Sequence, residues 1–168
     1  MKYKNITRIL LVVLILAVMA GIFILSNENR DESTDTSDAV INPIIKLLYP
    51  DFDDLEPSKQ TAILNEFNVT IRTGAHYLEY LVLGTLCVGL VLTFKTEHVP
   101  LYILIPLGIG ALYAISDEIH QYFVPGRSCQ ISDIIIDTCG ALTGILIIFT
   151  IVCIIKAHHE NQEVAVDN

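Results

Sequence analysis

Charge is missing from three long stretches of this 168-residue chain. Ile9 to Asn27, Val99 to Ser116 and Thr138 to Ile155 each run 18 or 19 residues without an Asp, Glu, Lys or Arg. Each is close to the roughly 20 residues a helix needs to cross the hydrocarbon of a bilayer. The absence excludes the amphipathic striping of soluble helices, and the mean hydropathy of +0.56 agrees. Basic residues are also scarce, with 10 Lys and Arg against 19 Asp and Glu and a net charge of −9. That balance argues against a nucleic-acid partner. Cysteine is too sparse for a disulfide framework: Cys87, Cys139 and Cys153 fall within apolar runs and Cys129 in a loop, so they read as small packing residues. No internal repeat is visible.

A fourth crossing is less clean. Only Tyr80 to Phe94 is free of charge, and at about 1.5 Å per residue these 15 residues reach only about 22 Å. The helix must begin earlier, near Thr73, which carries His76 and Glu79 into the polar margin or outer hydrocarbon of the membrane. The expected fold is therefore an all-α integral membrane protein of four transmembrane helices, spanning about 9–26, 73–94, 99–117 and 133–155. Residues 1–8 and 156–168 form the tails and 27–72 an acidic outer loop. Lys2, Lys4 and Arg8 before the first span, Lys95 between the second and third, and Lys156 after the fourth predict that both termini are cytoplasmic. Ala17-Val18-Met19-Ala20 would suit a signal cleavage site, but the apolar run continues through Leu25, so the first helix is expected to stay attached.

Within the outer loop, Ser26 to Asp38 has the composition of a flexible segment. Val40 to Tyr49, with Ile41, Ile44, Ile45, Leu47 and Leu48 around Pro43, is too short to span and predicts an interfacial helix. Pro57-Ser58 marks a helix start with Ser58 as N-cap, and nothing between Thr61 and Thr73 would stop that helix from running into the second span. Pro106, Gly108 and Gly110 predict a kinked or loosened third helix. Val124-Pro125-Gly126 predicts a tight turn.

The ionisable residues gather at one end of these helices. Arg72, His76 and Glu79 share a face of the second span, while Asp117, Glu118, His120 and Gln121 end the third. Arg127 stands in the turn, and Asp133 and Asp137 share a face of the fourth span, continued by Gly140 and Gly144. Small residues let helices approach closely, which would turn the acidic face inward. Ionisable groups at membrane depth are costly unless paired or wetted, so these residues predict a polar pocket for a ligand. The competing reading is structural, with Arg72 and Arg127 neutralising Glu79, Asp117 and Asp133 to lock the helices together. His76, Glu79, Glu118 and His120 are candidate acids or bases if the protein is an enzyme, a question the residues leave open. The histidine and carboxylate spacing matches no closed zinc signature, so no metal and no cofactor is expected.

Four stretches resemble the VanZ-like family. They are Ser26-Asn27-Glu28 with Ser33 and Ser37; Arg72-Thr73-Gly74-Ala75-His76-Tyr77-Leu78-Glu79-Tyr80 with Gly84; Asp117-Glu118-Ile119-His120-Gln121-Tyr122-Phe123-Val124-Pro125-Gly126-Arg127; and Asp133, Asp137, Gly140 and Gly144. The resemblance covers about Leu10 to Ile151, and where the family often has Asn before the glycines this chain has Asp137. It implies a bacterial cytoplasmic membrane protein associated with low-level resistance to teicoplanin-type glycopeptides, without remodelling of the peptidoglycan stem terminus. It supplies no reaction. The expected ligand is an amphiphile with a polar head and an acyl chain, such as a membrane lipid, a lipid-linked envelope precursor or a lipoglycopeptide. An intramembrane enzyme on such a substrate, or a small proton-linked carrier, is the alternative.

Overall fold

The computed structural model describes residues 2–28, 30–94 and 98–166, and Lys95 lies outside them. Its elements are α1 (Lys2–Ser26), α2 (Arg30–Leu48), a single 3-10 turn (Phe52–Asp54), α3 (Pro57–Leu92), α4 (Leu101–Gln121) and α5 (Ile131–Val166). No strand occurs among the described residues. Among the described residues, four helices are long and apolar enough to cross a membrane: Tyr3–Ser26, Pro57–Leu92, Leu101–Gln121 and Ile131–His159.

These four pack with alternating direction. Arg8 of α1 donates from Nε to the Thr93 hydroxyl at 3.0 Å and from Nη2 to the Thr93 carbonyl at 2.8 Å, and it lies over the Phe94 ring. It thereby satisfies a carbonyl at the C-terminal end of α3 that the helix itself leaves open. At the other end of α1, Ser26 meets Asp117 near the end of α4. Thus α1 and α4 run together, and α3 runs opposite to both.

The α3 and α5 helices run parallel and approach backbone to backbone. A Cβ at Gly140 would strike the Tyr77 carbonyl, one at Gly144 the Leu81 carbonyl, and one at Gly84 the Ala141 carbonyl. Glycine is needed at these contacts because no side chain fits between the two helices, the role expected of Gly140 and Gly144. The Tyr77 hydroxyl adds a 2.8 Å bond to the Thr143 hydroxyl. Ile15, Ile22, Tyr80, Leu83, Cys87, Ala114 and Ala141 fill the centre. Leu104, Leu112, Ile135 and Ile147 lie exposed on the outside. Apolar side chains outward and carboxylates inward is the arrangement lipid favours.

Several details differ from the sequence reading. The stretch expected to be flexible carries helical backbone from Arg30, so the short helix foreseen at 40–49 is the second half of a 19-residue α2. Its Ile41 and Ile45 are buried, which gives the helix a docking face that the polar composition of its first half conceals. The N-cap of α3 is Glu56, not Ser58, because Pro57 occupies the first helical position. Gln60 ties the preceding turn down by donating to the carbonyls of Phe52, Asp53 and Leu55. The α4 helix passes through Pro106 and ends at Gln121, so Glu118 and Gln121 stand on its last turn. Cys87 is buried as expected, but Cys139 and Cys153 are exposed on the outside of the bundle.

Candidate functional site

The polar end of the bundle is organised by the turn between α4 and α5. The Arg127 amide donates to the Val124 carbonyl at 3.1 Å, with Pro125 second and Gly126 third at φ 78°, the residue order of a type II turn. This turn brings the Arg127 guanidinium back over the bundle. Its Nε donates to the Glu28 carbonyl at 3.1 Å, Nη1 to Gln121 Oε1 at 3.3 Å and Nη2 to the Leu25 carbonyl at 3.5 Å. Burial first, then the nearby charge of Arg72, lower the Arg127 pKa from its usual value. Its bonds go to these carbonyls and the Gln121 amide, not to Asp133 as the structural reading of the sequence supposed.

Beneath Arg127, Gln121 Nε2 and the Ser26 hydroxyl each donate to Asp117 Oδ2 at 3.0 Å. Asp117, Glu118 and Gln121 are 3%, 1% and 1% exposed. Glu118 Oε2 accepts the Gln130 backbone N–H at 2.7 Å, closing α4 onto the start of α5. Asp137 is fully buried, and its Oδ1 lies 3.9 Å from His76 Nδ1. Ligand atoms of His76, Asp117 and Asp137 all lie within 4.8 Å of one another.

A cavity of about 150 Å³ opens beside this cluster. It is lined by the apolar Leu25, Val40, Ile71 and Ala75 and by the polar Glu28, Ser37, Arg72, His76, Glu79 and Arg127. A second cavity, of about 10 Å³, shares Arg72 and His76 with it and is otherwise lined by Thr73, Asp133, Ile136 and Asp137.

Of the ten residues singled out in the sequence, Arg72, His76, Glu79 and Arg127 line the larger cavity. Asp117, Gln121 and Asp137 form the buried layer behind it. Asp133 lines only the smaller cavity and accepts a bond from Ser132. His120 turns toward α1, its ring 4.5 Å from that of Phe23, and Glu118 is held by the Gln130 amide. The sequence reading missed Ser26, the second donor to Asp117; its sign was the polar break at the end of the first apolar run. Ser37 and Val40, which α2 adds to the lining, stood in the sequence only as part of the resemblance and as the start of the expected interfacial helix, and neither was assigned to the pocket.

The fold and its buried charge layer are those of a polytopic helical membrane protein. Residues 11–154 match the model of the VanZ/LLP1 family, and the chain belongs to that family. No curated protein and no solved structure matches it.

Proposed function

We propose that the protein binds amphiphilic cell-envelope molecules from the outer face of the bacterial cytoplasmic membrane, and that it thereby gives low-level resistance to teicoplanin-type lipoglycopeptides. The observation that supports this is the mixed lining of the larger cavity, which combines the apolar Leu25, Val40, Ile71 and Ala75 with the guanidinium groups of Arg72 and Arg127 and the carboxyl groups of Glu28 and Glu79. An arginine fork recognises phosphate or carboxylate, and an apolar wall beside it favours an acyl chain. Ordinary small-molecule pockets run from about 300 to 1,000 Å³, so the cavity holds a headgroup and the first carbons of the chain, and the rest of the chain lies along the apolar outside of the bundle.

A second reading, an intramembrane enzyme on a lipid-linked substrate, draws support from His76, whose Nδ1 is buried without a hydrogen-bond partner beside Asp137. Native mass spectrometry of the purified protein is the test of binding. An anionic lipid or lipid-linked precursor should co-purify with the wild type and be lost in Arg72→Ala. Retention of the same lipid by that variant would sink the binding proposal. Turnover of a labelled lipid-linked precursor, abolished by His76→Gln, would establish the enzyme.

A further inference from the structure

From the geometry of α3, α4 and α5 we infer that His76, Asp117 and Asp137 form a binding site for a divalent transition-metal ion of the zinc or manganese type. The inference stands apart from the amphiphile proposal, since it concerns the buried layer and its test measures metal and not lipid.

Four buried polar atoms converge here without any hydrogen-bond partner: His76 Nδ1, Asp117 Oδ1 and both carboxylate oxygens of Asp137. Buried polar groups are normally paired, so this concentration in one place calls for a ligand. Asp137 sharpens the point, because it is fully buried and neither oxygen is satisfied. A proton shared between the two aspartates would draw their oxygens into hydrogen-bond contact, and no such contact exists.

The donor set suits a cation. One imidazole nitrogen with two carboxylates is a borderline nitrogen and oxygen set, and two negative carboxylates with a neutral imidazole cancel a double positive charge. That neutrality removes the cost of burying two like charges side by side. The supporting shell is also present. Ser26 and Gln121 both donate to Oδ2 of Asp117, which fixes the carboxylate and leaves Oδ1 without a partner and available to an ion. Gly140, one turn beyond Asp137, holds α5 against the backbone of Tyr77, the residue after His76. Ligand atoms around a tetrahedral ion with bonds of about 2.1 Å sit about 3.4 Å apart, so the present separations close by little more than an ångström on binding. Three protein ligands leave a coordination position open, and His76 borders both cavities.

The experiment uses the full chain in nanodiscs, stripped with chelator and titrated separately with Zn²⁺ and Mn²⁺. One ion per chain should bind and raise the melting temperature. Asp137→Asn and His76→Gln should each weaken binding by more than about tenfold, while Asp53→Asn on the exposed 3-10 turn leaves it unchanged. Pulsed electron paramagnetic resonance of the Mn²⁺ form should show coupling to a nitrogen, lost in His76→Gln. That spectrum decides the matter on the wild type even if a variant fails to fold. Absence of stoichiometric binding of either ion by folded wild type would overturn the inference. So would unchanged affinity in Asp137→Asn, or a Mn²⁺ spectrum without nitrogen coupling.

Discussion

Arg127 joins three segments through one side chain, since its acceptors belong to the end of α1, the loop after it and the last turn of α4. The three bonds fan out from one planar guanidinium, a geometry that a lysine ammonium does not reproduce. Arg127→Ala should therefore lower unfolding stability by about 1.5–3 kcal/mol, and Arg127→Lys should recover only part of that. Detergent melting of the two variants beside wild type checks this. Ser26→Ala tests the layer below. It leaves the Asp117 carboxylate with one donor, so a loss of about 1–3 kcal/mol is expected, and equal stability of Ser26→Ala and wild type would contradict the assigned bond. The cluster was legible at this scale where charge stood out against an apolar run, as at His76, Asp117 and Asp137. Ser26 was not assigned to the site, because a serine at a helix end is also what any exit from a membrane span would show. His120 looked equal to His76 in sequence; only the rotation of α4 places its ring against Phe23.

Among the elements, the α3 and α5 pair gives the sharpest contrast. Gly84, Gly140 and Gly144 each face a backbone carbonyl of the partner helix, whereas Gly74 and Gly108 have nothing within 4 Å. Gly140→Ala and Gly144→Ala should each cost about 1–3 kcal/mol by forcing the helices apart, and Gly74→Ala and Gly108→Ala should leave melting unchanged or slightly raised. A uniform response at all four positions would contradict the close approach. The helices themselves were readable because long charge-free runs have few alternatives in lipid. The first half of α2 was not readable, since Arg30 to Asp38 is polar enough to look unstructured, and its helical state goes with the docking of Ile41 and Ile45 further along. The continuity of α3 was readable from the lack of any proline or glycine between Ser58 and Thr73.

For the molecule as a whole, one end carries Arg8 against Thr93, and the opposite end carries the Arg127 turn and the buried carboxylates. The basic flank of α1 predicts that the Arg8 end is cytoplasmic. Single cysteines at Asp53 and Ser128, in a background with the native cysteines replaced, should then react with an impermeant reagent on intact cells, and one at His159 only after permeabilisation. Labelling of His159 from outside would invert the orientation and move the cavity to the cytoplasmic face.

The 36 residues of α3 rise about 54 Å, against about 30 Å of hydrocarbon, so some 16 residues' worth of helix stands clear of it. With the Arg8 end of α3 at one membrane surface, that excess is close to the stretch from Pro57 to Arg72, which leads directly down to His76. The helix is therefore a lever as well as a wall. Because α3 meets α5 backbone to backbone, a force on its projecting end, where Tyr49 packs against Phe67, would act on both helices together and so on His76 and Asp137 as a pair. Asp117 stands on α4, which the Glu118 bond to the Gln130 amide and the contact of Gly110 with Ala141 bind to α5, so such a force is felt at all three side chains of the site.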